Sequence, residues 1–273
     1  MNSTVNSTST SASDSIPTVI GNALKDWTFS LQDYSLLTLH SVRKMFAAST
    51  YFTDLVEQMD QIGVGSLLIV VSALFCVGGV VVLNAAAQFA RFGETVLTGN
   101  AVSLALLREL GPVFASLLVA GRNATAMASE LGSMVVAEQV DAIRGFGIDP
   151  IRKLMTPRVL ATMLVLPLLT AVGDLAGLLG GFVVANFILH LGPEEFMSHA
   201  LNALVLGDLC MGFAKPLVFG FIISTVGCYQ GFRVKGGTAG VGRATINAFV
   251  VASVVVLVVD LFITRLLLWT FNL

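Results

Sequence analysis

Five stretches of this sequence, at about 63–90, 103–129, 159–189, 203–229 and 246–271, are built almost entirely of apolar side chains and glycine. A helix needs about 20 such residues to cross a hydrocarbon layer near 30 Å thick. Inside lipid every backbone N–H and C=O must be bonded within the protein, which leaves only helices and closed barrels as spanning structures. The five runs therefore predict an all-α integral membrane protein with five transmembrane helices. Charge content agrees: Lys, Arg, Asp and Glu make up 12% of the 273 residues, about half the roughly 25% usual in soluble domains. So few charges cannot cover a water-soluble surface.

The segments before the first run are different. Residues 1–18 form a Ser/Thr/Asn-rich tail with no apolar face, a composition expected to be disordered. Residues 19–60 mix Ile20, Leu24, Trp27, Leu31 and Leu36 with Lys25, Arg43 and Lys44. That pattern suits a helix lying in the membrane interface, or else a linker packed on the bundle. The third part, 61–273, holds the five spans.

Basic residues outside the spans give the orientation. Ten of them lie in the N-terminal segment (Lys25, Arg43, Lys44) and in the loops at 138–158 and 230–245, whereas the two opposite loops hold Arg91 alone. This asymmetry places the N-terminus inside and the C-terminus outside, as an odd number of spans requires. The net charge of −2 lacks the basic stripe that nucleic-acid binding needs. Three widely spaced cysteines and three scattered histidines show no disulfide or metal framework. In the third run Gly173, Gly177 and Gly181 repeat every four residues, a bare face for close helix approach.

Eight charged residues fall inside the runs: Arg108, Glu109, Arg122, Asp174, Asp208, Lys215, Asp260 and Arg265. Each costs about 2.5–3.5 kcal/mol at the centre of a spanning helix on insertion scales. Such residues face a partner charge, a cavity or an interface, and the near balance of their signs suits pairing. Asp208 and Lys215 are seven apart, two helical turns, and share a face. Arg108 and Glu109 precede Gly111-Pro112, where a helix break can open a polar pocket. Two readings stand at this point: buried ion pairs that hold the bundle, or groups lining a cavity. Arg265, near the outer end, suits snorkelling to the headgroups.

Catalytic motifs are missing. Gly237-Thr-Ala-Gly-Val-Gly242-Arg243-Ala244 has the glycine spacing of a nucleotide-binding loop, but Arg and Ala stand where Lys and Ser or Thr must meet phosphate and Mg²⁺. The chain is therefore expected to be no enzyme and to carry no cofactor of its own. Work against a gradient then needs energy from another subunit. The inside loop offers a place for one: residues 137–150 (AEQVDAIRGFGIDP) read as a short amphipathic helix with Val140, Ile143 and Phe146 spaced three apart, stopped by Gly147 and Asp149-Pro150. A surface helix resting on the membrane is the simpler alternative. An ATP-independent channel or ion-coupled carrier, and a structural membrane scaffold, are the rival functions that these features leave open.

The run LLRELGPVFASLLVAGRNATAMASELGSMVVAEQVDAIRGFGIDPIRKLMTPR (106–158) resembles the MlaE/YrbE family of ABC transporter permeases, as does GFRVKGGTAGVGRAT (231–245) with the apolar span that follows. The resemblance covers about 60–273. It implies an interfacial helix plus five transmembrane helices, a homodimer, two cytoplasmic ATP-binding cassette subunits that bind the ATP, and a periplasmic ring of MCE-domain proteins. The cargo it implies is phospholipid or a related lipid, moved at the bacterial inner membrane. By the same resemblance Arg108, Glu109, Asp208, Lys215 and Asp260 line the lipid cavity. The coupling helix falls at 137–148, which turns Glu138, Gln139, Asp141, Ile143 and Arg144 toward the ATPase.

Overall fold

The computed structural model describes residues 28–29, 32–43, 52–93, 97–190 and 192–271. The polar tail at 1–18 and much of the expected interfacial segment lie outside them. Two compact units are distinguished, Met1–Leu39 and His40–Leu273. In the first, residues 32–39 are helical. The second holds seven helices from Phe52 onward and no strand among the described residues. Five are long and apolar enough to cross a membrane: α1 Phe52–Phe92, α2 Thr98–Val136, α4 Ile151–Phe187, α6 Leu206–Phe232 and α7 Gly237–Thr270. Two are short: α3 Gln139–Gly145 and α5 Pro193–Asn202.

Each apolar run falls mainly on one long helix, but the helix ends differ from those of the runs. α1 starts at Phe52, upstream of the apolar run, because Asp54, Glu57, Gln58, Asp60 and Gln61 continue the helix as a polar extension. Asp54 in that extension is ion-paired with Lys153 in the first turn of α4. α7 likewise begins at Gly237, so the glycine-rich stretch that echoes a phosphate loop is helical. Its Gly240 packs so closely that an added Cβ would lie 2.0 Å from the carbonyl of Lys235. The segment at 190–202, expected to be only a loop, contains α5, whose Phe196 is buried against Val82, Val102, Leu106, Leu107 and Ala185.

The most apolar windows of α4 and α6 are 61% buried, those of α1 and α7 only 33% and 17%. α4 and α6 are therefore the centre, and α1 and α7 present outward faces such as Leu68, Leu261 and Phe262. Exposed leucines on this scale are what a lipid environment accepts and water does not. α1 and α4 meet along glycines. A Cβ on Gly78 would stand 1.9 Å from the carbonyl oxygen of Gly177, and one on Gly180 would stand 2.0 Å from that of Phe75. The Gly173/Gly177/Gly181 face thus receives α1, which answers with Gly78 and Gly79.

Three π-turns interrupt these helices: Leu106–Leu110 and Ala120–Ala124 in α2, and Ile151–Met155 at the start of α4. Two have a local cause. Pro112 and Pro157 each follow their turn by two residues, and a proline ring both lacks an N–H and crowds the carbonyl four residues earlier. The backbone answers by widening: the amides of Gly111 and Thr156 reach back five residues, to the carbonyls of Leu106 and Ile151.

Candidate functional site

The proline at 112 leaves the carbonyl of Arg108 without its helical donor. Lys215 of α6 supplies one: its Nζ donates to the Arg108 carbonyl at 2.8 Å. The same ammonium lies 2.7 Å from Glu109 Oε2 and 3.1 Å from Asp260 Oδ1 of α7. Arg108 Nε in turn meets Asp208 Oδ1 at 2.6 Å, and Asp208 Oδ2 accepts the N–H of Val205 at 3.0 Å. Asp208 therefore occupies the first turn of α6 rather than mid-span, where the helix dipole favours a carboxylate. Thr264, one turn after Asp260, donates to Glu109 Oε1 at 3.1 Å. The five residues expected at the cavity are gathered into one network joining α2, α6 and α7.

Burial divides the network by role. The side chains of Asp208 and Lys215 are 0% exposed and that of Asp260 is 16%, while those of Arg108 and Glu109 are 26% and 40% exposed. Lys215 has three acceptors and no open surface, so it cannot meet a headgroup without breaking the network; it fixes Glu109 instead. The cluster holds two cations and three carboxylates, a formal excess of one negative charge, and its reachable members are one of each sign. Thr264 and the Arg108 carbonyl are the partners that charge counting misses; the Asp260–Thr264 spacing of four was the one available signal.

The other intramembrane charges stand apart. Asp174 of α4 is buried, its Oδ1 lacks a hydrogen-bond partner, and it lies so near Gly111 that a Cβ there would sit 1.6 Å away. It lines an apolar cavity of about 250 Å³ together with Leu107, Leu178, Leu204, Leu209 and Phe213. Leu107 and Leu209 adjoin Arg108 and Asp208 in sequence, so apolar space and charge are neighbours at this end of the bundle. Arg265 is exposed near the end of α7.

At the opposite end, α3 follows α2 through Glu138, which takes a left-handed backbone (φ 57°), and stops before Gly147 (φ 76°). Val140 is buried and anchors the helix on α2. Glu138, Gln139, Asp141 and Arg144 are exposed, Ile143 is half-buried, and Asp141 and Arg144 form a surface pair at 3.0 Å. Phe146 is 82% exposed and Ile148 43%. The helix is shorter than the 137–150 expected, because the turn at Glu138 and the glycines of GFG consume its ends. Its apolar stripe is split as well: Val140 faces the bundle and Phe146 faces away.

The sequence matches the family described as Permease MlaE over residues 55–266. A Rickettsia typhi protein described as a probable ABC transporter permease is 35% identical over 252 residues, covering 92% of this chain and 97% of its own. The Haemophilus influenzae intermembrane phospholipid transport system permease protein MlaE is 32% identical over 218 residues, 80% of this chain and 84% of that one. The Arabidopsis thaliana chloroplastic protein TRIGALACTOSYLDIACYLGLYCEROL 1 is 34% identical over 219 residues, 80% of this chain and 63% of that protein.

Proposed function

This chain belongs to the MlaE permease family as a multi-pass transport subunit, and from that premise we propose that it moves phospholipid or a closely related lipid between the bacterial inner membrane and a periplasmic MCE protein. Two copies enclose the lipid. One protomer supplies an apolar cavity of about 250 Å³, below the roughly 300–1,000 Å³ of ordinary small-molecule pockets, so a lipid needs walls from a second copy. Arg108 and Glu109 are the members of the network that reach it, and Asp208, Lys215 and Asp260 hold them in place. The chain binds no cofactor; ATP is bound by two cytoplasmic cassette subunits that dock on α3 through Glu138, Gln139, Asp141, Ile143 and Arg144, with Phe146 at the tip. The N-terminus is cytoplasmic and the C-terminus periplasmic.

The observation that carries this reading is the gathering of five costly charges into one site beside apolar space, with one cation and one carboxylate left reachable. A scaffold has no use for a half-exposed Glu109. ATP and lipid drive transfer if they favour different arrangements of the two copies. Reconstituted transfer of a labelled phospholipid to an MCE acceptor tests the reading: Arg108→Ala and Glu109→Ala are expected to lower the rate at least tenfold while the ATPase still copurifies. Full transfer by both variants removes them from the site, and transfer without any ATPase favours an ion-coupled carrier.

A further inference from the structure

The π-turn at Ala120–Ala124 has no proline two residues after it; Ala126 stands there. It presents Arg122 and Asn123 to a second cavity of about 380 Å³, lined also by Gln58, Asp60, Gln61 and Glu130. Arg122 is exposed within a membrane-crossing helix and has no ion pair among the described residues. Its guanidinium lies against Gly65 of α1, where a Cβ would come within 2.5 Å of a terminal nitrogen. Asn123 is 5% exposed, and its Nδ2 is buried without a hydrogen-bond acceptor. An unpaired guanidinium and an orphaned amide donor on one wall call for an acceptor with several oxygens.

The other wall narrows the choice. Glu130 is occupied by Arg158 at 3.0 Å, whereas Asp60 has no ion pair among the described residues. Among the described residues the pocket therefore offers one free cation, one free amide donor and one free carboxylate. It sits where the polar extension of α1 gives way to its apolar run, with the exposed Val64 on its lining and the exposed Leu68 one turn beyond. That is headgroup depth with an apolar strip leading away.

We propose that this pocket binds the zwitterionic phosphodiester headgroup of a membrane lipid, with phosphate on Arg122 and Asn123, ammonium at Asp60, and chains along Val64 and Leu68. The site lies at the α3 end of the bundle, distinct from the Arg108 network, and does not depend on which cargo is transferred. The test is titration of the purified full chain in detergent with dihexanoyl phosphatidylethanolamine, dihexanoyl phosphatidylglycerol and inorganic phosphate, read by calorimetry. Phosphatidylethanolamine is expected to bind best. Arg122→Gln should weaken it at least tenfold, and Asp60→Asn should remove its advantage over phosphatidylglycerol. Gly65→Ala gives a second route that spares the fold, because its methyl displaces only the end of the Arg122 side chain; a several-fold loss is expected. Unchanged affinity in both Arg122→Gln and Gly65→Ala overturns the proposal. So does inorganic phosphate binding as tightly as the lipid, which makes this a site for an aqueous anion. Loss of protomer association in Arg122→Gln with lipid affinity intact would make the pocket an interface between copies, and also overturns it.

Discussion

At Lys215 one ammonium serves three acceptors, the Arg108 carbonyl and Glu109 of α2 and Asp260 of α7. Removing a single partner from a buried ion group leaves the others uncompensated and costs about 3–5 kcal/mol, whereas replacing the whole group by neutral side chains is often close to neutral. Lys215→Met is therefore expected to destabilise the protein by about that amount, seen as a large fall in unfolding temperature in detergent. Adding Glu109→Gln and Asp260→Asn to Lys215→Met should recover most of the loss without restoring transfer. If the single variant is as stable as the parent, the ammonium does not hold the network. The charges themselves were legible in the sequence, because an ion in an apolar run is conspicuous. Their pairing was not: Arg108 and Asp208 are 100 residues apart and Lys215 and Glu109 are 106 apart, and no local pattern fixes such a register.

The helices were legible because a long apolar run in lipid has one backbone solution; their ends were not, since polar turns extend α1 and glycine-rich turns extend α7. Glycine spacing marked the packing face of α4, but the matching Gly78 of α1 and the Gly180 contact emerge only from the crossing. Gly78→Ala should separate α1 from α4, because its Cβ meets backbone at 1.9 Å, and the cost should reach or exceed the about 1–3 kcal/mol typical of overpacking. Gly242→Ala is the control: nothing lies within 4 Å of its Cβ position, so loss of chain freedom should stabilise α7 by about 0.5–1 kcal/mol. Thermal unfolding of the two variants side by side checks both signs. Pro112 makes a different element-scale prediction. With Pro112→Ala the amide at 112 can take the Arg108 carbonyl, the π-turn closes to regular helix, and Arg108 and Glu109 rotate out of register with Asp208 and Lys215. Transfer should fall sharply and the unfolding temperature in detergent with it, because the buried Asp208 and Lys215 then lose partners; full transfer by Pro112→Ala would show that the π-turn does not set this register.

At the scale of the molecule, α2 joins the two ends proposed to act, the Arg108 network and α3. Glu109 lies near one end of it and Glu138 just past the other, and at about 1.5 Å per helical residue they are about 40 Å apart. Neither end can touch the other's ligand, so any coupling passes through movement of α2 and the helices packed on it. Coupling between two binding sites is reciprocal: if nucleotide in the ATPase changes the affinity for lipid, lipid must change the affinity for nucleotide to the same degree. The assembled complex in nanodiscs should thus bind a non-hydrolysable ATP analogue with an affinity that shifts several-fold when phospholipid is supplied. Glu109→Gln should abolish that shift while leaving the lipid-free affinity unchanged, because it leaves the proposed docking residues on α3 intact. Phe146→Ala should act the opposite way, weakening attachment of the ATPase at least tenfold while lipid binding to the permease dimer is preserved. A lipid-dependent shift that survives Glu109→Gln would place the lipid-sensing group outside the network.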